Sequence, residues 1–413
     1  MKNFNPIRGT YDYMPKVAGF REQVRQTILK NYQKNGYNLI STPVLEHLDF
    51  LLSSDGGDNL KLMYKTVKRG DKLNLGKDNL TEADIVEEGL RYDLTVPLSR
   101  FYANNRDSLP MPFKAIQIDS VFRAERPQRG RNRQFVQCDV DVFGDKTINA
   151  ELELLKTCID TYELLGFDKL TVRVSDKMLL STVVMNAGFK EEDIKTVCVT
   201  LDKLDKIGVT GVMMELIDKG FDPDNINRLV ETINDISSNG LAGAGKYGVD
   251  QEILSNLEYL LNNLRTLTGN KHDIRFDISI VRGQGYYTGT VYEVYADGFG
   301  GAIGGGGRYD EMVGRFSGVD CPAVGYSIGF ECVTMLMQEK GLGNTVKNLA
   351  LVYDKDDDIL DVFKIKEELK AQYNVSLYLR PKNMKSFYDR IGTVANYVTT
   401  VKDYREGRDI KEL

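Results

Sequence analysis

The chain has 413 residues, 42% of them hydrophobic and 28% charged, with a formal net charge of −6. These proportions describe an ordinary globular chain of roughly two to three domains, and the acidic balance excludes a surface that attracts nucleic acid as a whole. Two distant histidines, His47 and His272, and five scattered cysteines without a C-x-x-C spacing argue against a zinc site or a His-based triad. The thiols read as free in a reducing cytosol. No apolar run approaches the length of a membrane span, and the first residues lack the apolar stretch of a secretory signal.

In chain order, Phe20, Val24, Ile28 and Tyr32 recur every four residues and predict an amphipathic helix over 17–35, closed at Gly36. A short strand over Leu39–Thr42 follows, and Pro43 should end its pairing. Residues 113–144 predict a long hairpin with arms Phe113–Phe122 and Phe135–Phe143. On the second arm Val136, Cys138, Val140 and Val142 make an apolar back, while Phe135, Gln137, Asp139, Asp141 and Phe143 share the other face. That face reads either as a binding floor, since a buried acid needs a partner, or as a solvated sheet face.

Residues 186–268 are helix-rich, with periodic stretches at Asp224–Ser238 and Gln251–Leu267 and no catalytic-looking cluster. Strands return at Ile274–Ile280 and Thr290–Tyr295. A glycine-rich run from Gly298 to Gly307 follows, then a strand over Ala323–Ile328 leading into a helix from Glu331. From Lys347 onward strands at Leu349–Tyr353, Val375–Leu379 and Tyr397–Val401 alternate with helices at Asp358–Gln372 and Lys385–Val394, the order of a small α/β domain.

Four stretches carry chemistry. Arg123, Arg126, Arg129, Arg131 and Arg133 crowd the hairpin loop with Glu125 as the only acid, which reads as a phosphate or RNA-backbone contact or as a solvated basic loop. Arg123 shares the alternating face of Gln117 and Asp119, so it can point into the floor. Residues 280–290 place Arg282 at a strand end, followed by Gly283, Gly285 and the Tyr286–Tyr287 pair, which could wall a cleft or pack a core. The run Gly304–Gly307 before Arg308, Tyr309 and Asp310 suits a backbone wall against a ligand, or a flexible loop. It is neither a Walker A loop nor a dinucleotide fingerprint. Finally, Ala323–Cys332 runs from strand to helix through small residues, as a nucleotide floor or a packed junction.

In order and spacing these stretches resemble histidine–tRNA ligases, a family of class II aminoacyl-tRNA synthetases. Phe122–Arg131 looks like the family's motif 2, Leu90–Pro97 like its amino-acid-binding segment, and 281–287 and 306–310 like its two histidine signatures. Residues 322–329 look like motif 3, and Thr42–Glu46 like the degenerate motif 1 of the dimer interface. The resemblance implies an α+β fold. Its class II catalytic domain, an antiparallel sheet flanked by helices, would span 1–185 and 269–342, with a helical insertion at 186–268 and an anticodon-binding-like α/β domain at 347–413.

The resemblance also implies roles. Arg123 would bind the α-phosphate and the amino-acid carboxylate, Glu125 the adenine amino group, and Phe135 would stack on the ring, with Gly329 beside the nucleotide. Asp93, Thr95, Gln137 and Asp141 would hold the α-amino group and imidazole. Tyr286, Tyr287 and Tyr309 would wall that pocket, and Arg282 would steady the transition state. Gln128, Arg129, Arg131 and Arg133 would touch the tRNA acceptor end. L-histidine, ATP with Mg²⁺ and tRNA(His) would be the substrates of a cytoplasmic homodimer without a membrane segment.

Three departures qualify the implied activity. Cys332 stands where the family's motif 3 carries an arginine, Gln284-Gly285 replaces Leu-Asp after Arg-Gly, and the C-terminal domain reads as shortened. Losing one charge-assisted contact costs about 1.5–3 kcal/mol and lowers ATP use roughly tenfold to a hundredfold. Arginine at position 332 is therefore expected to raise ATP–pyrophosphate exchange, and an unchanged rate would count against this placement. Two rivals share the fold: a histidine-sensing regulatory subunit of ATP phosphoribosyltransferase, and a nucleotide- or RNA-binding module without turnover.

Overall fold

The computed structural model describes residues 4–54, 57–281, 285–343 and 347–413. They fall into two units, one of the segments up to Ile7, Tyr11–Gln26 and Met337–Leu413, the other of Arg8–Thr10 and Thr27–Leu336. The strands of the larger unit, in chain order, are β1 (Asn38–Leu39), β2 (Leu45–His47), β3 (Lys65–Val67), β4 (Val86–Leu90), β5 (Phe113–Phe122), β6 (Gln134–Phe143), β7 (Leu170–Asp176), β8 (Asp273–Phe276), β9 (Thr290–Ala296), β10 (Gly304–Arg308) and β11 (Ala323–Gly329). Eight of them form one sheet in the order β1-β5-β6-β11-β10-β9-β7-β8, and β2-β4-β3 form a small antiparallel sheet. The expected antiparallel sheet holds for the interior. At the two edges β1 runs parallel to β5 and β8 parallel to β7.

The hairpin forms as its alternation predicts, with Phe113 opposite Phe143 and Phe122 opposite Gln134. On its apolar back Cys138, Val140 and Val142 are buried, and behind the sheet lies the helix Asn149–Leu164, whose Tyr162 hydroxyl donates to Ile303 O at 3.1 Å. The other face of β6 is not solvated: Gln137, Asp139 and Asp141 are 9%, 3% and 2% exposed. Burial on both faces settles the ambiguity of that strand in favour of a covered floor.

The glycine run is a strand in the middle of the sheet, hydrogen-bonded to β9 on one side and β11 on the other. Its glycines answer a packing demand. A Cβ on Gly306 would overlap the Gly325 carbonyl, and one on Gly307 would come within 2.5 Å of Thr290 O. Two predicted strands are shorter than expected by more than one residue. β1 stops at Leu39, because Thr42 turns its hydroxyl to Gln117 Oε1 (2.8 Å) ahead of Pro43. β8 stops at Phe276, because Asp277 closes a turn by accepting from Ser279 N at 3.0 Å.

Five helices, Lys177–Asn186, Ile194–Leu201, Leu204–Asp218, Pro223–Ala244 and Gln251–Leu267, fill most of the stretch between β7 and β8. The pattern read as Asp224–Ser238 ends where the backbone leaves helical geometry at Gly240. In the smaller unit β12 (Asn348–Tyr353), β13 (Asn374–Leu379), β14 (Tyr397–Thr400) and β15 (Lys411–Glu412) form a sheet ordered β13-β12-β14-β15, with β12 parallel to both β13 and β14. Alternate residues of β12 face opposite layers. Leu349 and Leu351 cluster with Val362, Ile365 and Leu369, while Ala350 and Val352 cluster with Ile391, Ala395 and Val398.

Candidate active site

Three neighbouring strands of the large sheet converge on one small cavity. β6 contributes Gln137, Asp139 and Asp141, β11 contributes Gly325, Tyr326 and Ser327, and β10 contributes Gly305 and Gly306. Thr95, at the start of the helix Thr95–Asn105, and Tyr286, Tyr287 and Tyr309 close the sides. The register explains the depth. Gly325 lies opposite Asp141, where a Cβ would overlap the carboxylate, so the main chain itself forms the wall.

The cavity is short of hydrogen-bond donors. Among the described residues, Gln137 Oε1, Asp139 Oδ1, Asp141 Oδ2 and the Oδ2 of nearby Asp93 are buried without a hydrogen-bond partner. The remaining groups are engaged: Gln137 Nε2 donates to Ser327 Oγ (3.2 Å), the Tyr309 hydroxyl to Asp141 Oδ1 (2.5 Å), and Val96 N to Asp93 Oδ1 (3.2 Å). Burial raises the Asp93 carboxyl to about 6, against the pull of the Val96 N–H and of Arg123. Burial and then its neighbours' charges push Asp139 and Asp141 above the ordinary carboxylate range as well, with the Tyr309 hydroxyl opposing at Asp141.

Arg123 meets this cluster from the end of β5. Its Nε donates to Tyr92 O at 2.9 Å, its guanidinium lies 5.1 Å from the centre of the Phe135 ring, and its charge acts on both Asp93 and Asp139. Of the residues singled out in the sequence, Asp93, Thr95, Arg123, Phe135, Gln137, Asp141, Tyr286, Tyr287 and Tyr309 therefore share one neighbourhood. Arg282, Gly283 and Gln284 lie outside the described residues. Glu125 sits in the hairpin loop, its carbonyl accepting from Arg133 Nε at 3.1 Å. Gln128 and Arg131 bracket the loop's tip through paired main-chain hydrogen bonds of 3.0 and 2.9 Å, and the turn needs Gly130 at φ +73°. Arg129 lies over Phe299, 5.9 Å from the ring centre.

That tip rests on the start of the helix Phe330–Glu339. Cys332 Sγ donates to Gly130 O at 3.5 Å, and a Cβ on Gly130 would stand 2.8 Å from the same sulfur. Burial raises the thiol to about 11 despite the charges of Arg131 and Arg129. An arginine at 332 must lift the turn before its guanidinium can act. Beside it, Glu331 accepts from Val136 N at 3.2 Å, and the Gly329 N–H donates to Ile303 O at 2.8 Å.

Four participants escaped the sequence reading as site residues. Asp139 was visible only as one member of an alternating face. Tyr326 and Ser327 read as parts of a strand. Arg91 was hidden by its type: its side chain is fully buried, 2.7 Å from Asp119 Oδ2, with Nη1 on Thr42 O (2.8 Å) and Nε on Ser120 O (2.9 Å). It ties β4 to the hairpin just ahead of Tyr92, whose carbonyl holds Arg123.

Residues 9–333 match the family model described as histidyl-tRNA synthetase. The histidine–tRNA ligase of Leifsonia xyli subsp. xyli is 38% identical over 403 residues, 93% of this chain and 92% of that protein. The histidine–tRNA ligase of Flavobacterium johnsoniae is 31% identical, covering 92% of this chain and 87% of its own. Among solved structures, histidyl-tRNA synthetase from Nostoc sp. PCC 7120 superposes with a TM-score of 0.76 at 23% identity, over 100% of this chain and 97% of that one. A Bacillus halodurans protein described as an ATP phosphoribosyltransferase regulatory subunit/histidyl-tRNA synthetase reaches the same TM-score at 17% identity, over 97% and 98%. At those identities the structural likeness is one of fold. The family match over most of the length, together with the carboxylate-lined cavity that its signature segments build, makes this chain a member of the histidyl-tRNA synthetase family.

Proposed function

We propose that the chain activates L-histidine with ATP and ligates it to tRNA(His) through a histidyl-adenylate. The observation that carries the reading is the donor-poor cavity. Buried oxygens of Asp93, Gln137 and Asp141 lack a donor among the described residues, and an α-ammonium and an imidazole N–H bring donors to them. A wrong side chain leaves those oxygens unpaired, which is costly. Asp93 and Thr95 take the ammonium, Gln137 and Asp141 the ring, and Tyr286, Tyr287 and Tyr309 its faces.

In the first step the histidine carboxylate oxygen attacks the α-phosphorus of ATP and the bond to pyrophosphate breaks. Arg123, stacked near Phe135, neutralises charge at the phosphorus, and Arg282 serves as its second guanidinium. Glu125, Phe135 and Gly329 receive the nucleotide. Mg²⁺ arrives as the counter-ion of the ATP phosphates, a mode that needs few protein carboxylates. In the second step the terminal tRNA hydroxyl attacks the activated carbonyl and AMP leaves. Gln128, Arg129, Arg131 and Arg133 contact the acceptor end, the 186–268 insertion flanks the catalytic domain of 1–185 and 269–342, and 347–413 reads the anticodon.

A homodimer is supported by the exposed apolar residues Leu39, Val44, Leu45 and Val67 on and beside β1–β3. A cytoplasmic setting accords with the absence, among the described residues, of any helix long and apolar enough to cross a membrane. The test is ATP–pyrophosphate exchange with each amino acid, followed by charging of tRNA(His). Histidine-specific exchange with charging is expected. Histidine binding without exchange would instead mean the sensing paralogue, and neither would mean a binding module.

A further inference from the structure

We infer that Lys177 is a positioning residue for histidine binding: its ammonium gathers the carbonyls of Gly285 and Tyr287 and so fixes the turn that presents Tyr286 and Tyr287 to the cavity. The inference rests on the histidine reading and adds to it a residue outside the pocket lining. Lys177 Nζ donates to Gly285 O at 3.2 Å and to Tyr287 O at 2.5 Å, and Lys177 N donates to Gly289 O at 2.9 Å. Two carbonyls, two residues apart, thus aim their oxygens at one point, where their dipoles repel. An ammonium there brings three N–H groups and a full charge, and satisfies both.

The lysine stands against the preference of its own helix. It opens Lys177–Asn186, and the N-terminal pole of a helix disfavours a cation. Asp176 caps that end by accepting from Met178 N (2.8 Å) and Leu179 N (3.2 Å), so the helix start does not need the lysine side chain. The far end is anchored, with Asn186 Nδ2 donating to Tyr247 O (2.6 Å) and Arg228 Nε to Ala187 O (3.1 Å). The ammonium is therefore delivered to the turn from a rigid element. What the turn carries is the pocket wall. Tyr286 and Tyr287 are buried with ring centres 4.9 Å apart, and the Tyr286 phenol lies beside Thr95 and Asp93. Tyr286 also meets Tyr309 edge-on at 5.9 Å, and the Tyr309 hydroxyl donates to Asp141. Displacing the turn shifts the rings that enclose the imidazole and the hydroxyl that sets Asp141.

The experiment measures ATP–pyrophosphate exchange in Lys177→Met, which keeps the stem and loses the donors, and in Lys177→Arg, which keeps a cation able to reach both carbonyls. In Lys177→Met the histidine KM should rise about tenfold, the scale of a lost charge-assisted contact. The kcat and the ATP KM should stay within about twofold, because the loss falls on binding common to ground state and transition state. Lys177→Arg should recover most of the histidine KM, and Lys177→Gln, with a neutral amide donor, should fall between the two. Calorimetry of L-histidine alone should show the same order of affinities. Melting temperatures should stay near the wild-type value, since removing a cation from a helix N-terminus favours that helix. A Lys177→Met variant with the wild-type histidine KM, whatever its melting temperature, makes the contact a structural tie only and overturns the inference. So does a rise in the ATP KM as large as that for histidine, or an arginine variant no better than the methionine one. A wild type that neither binds histidine nor exchanges overturns the functional reading beneath it.

Discussion

Replacing Arg123 by alanine is expected to lower histidine-dependent exchange by about a hundredfold to a thousandfold, the scale of losing one preorganised charge donor at a reacting centre. The guanidinium is held for that task from two sides, by the Tyr92 carbonyl at 2.9 Å and the Phe135 ring at 5.1 Å. It is also a cation that acts on both Asp93 and Asp139, so its removal leaves the floor more reluctant to ionise. Lysine should not rescue the loss, because a point charge offers neither the fork nor the stacking plane. The loss should appear chiefly in kcat. Steady-state exchange kinetics provide the check, and an alanine variant within tenfold of the wild type would remove Arg123 from the chemistry.

Glu151→Ala is expected to destabilise the fold by about 3–5 kcal/mol, the range for stripping one partner from a buried ion pair. Glu151 accepts from Arg308 Nε (2.7 Å), from Arg308 Nη2 (2.5 Å) and from Thr290 Oγ1 (2.8 Å), with the side chains of Glu151 and Arg308 1% and 10% exposed. Burial alone would weaken Arg308's hold on its proton, but the Glu151 and Asp310 carboxylates outweigh it. The same guanidinium reaches Asp145 O (3.1 Å) and Thr147 O (3.3 Å), so helix, loop and β10 meet on one residue. Tyr309 follows directly in the chain, and its hydroxyl must reach Asp141. Denaturant unfolding measures the loss. A change under about 1 kcal/mol would show that the pair contributes no more than an exposed one.

The sequence revealed most of this fold wherever one face of an element is apolar and the other is not. β5 and β6 were legible from alternation, and the Gln251–Leu267 helix matches its periodic stretch. β10 was illegible as a strand because glycines carry no periodicity. Its pairing is imposed by β9 and β11, which arrive from other parts of the chain. The Glu151–Arg308 pair escaped notice for a related reason: 157 residues separate two charges that each read as surface. Within the site, residue type singled out Arg123, Gln137 and Asp141. It could not say that the floor beside them was sealed, since that depends on Gly325 and Tyr326 coming across from β11. The expectation for Arg282 lies outside the described residues.

The glycines of β10 and β11 bear on how this pocket can change over time. Where side chains bound a cavity, trimming one admits a larger guest, and evolution can widen the diet by single steps. Here Gly305, Gly306 and Gly325 present bare peptide to the occupant, so there is nothing left to trim on that side. Additions at Gly306 or Gly325 collide with neighbouring atoms, so they are closed off too. Drift toward a bulkier amino acid has to proceed through the tyrosines or the acids, and each of those changes also disturbs the hydrogen bonding that selects the present one.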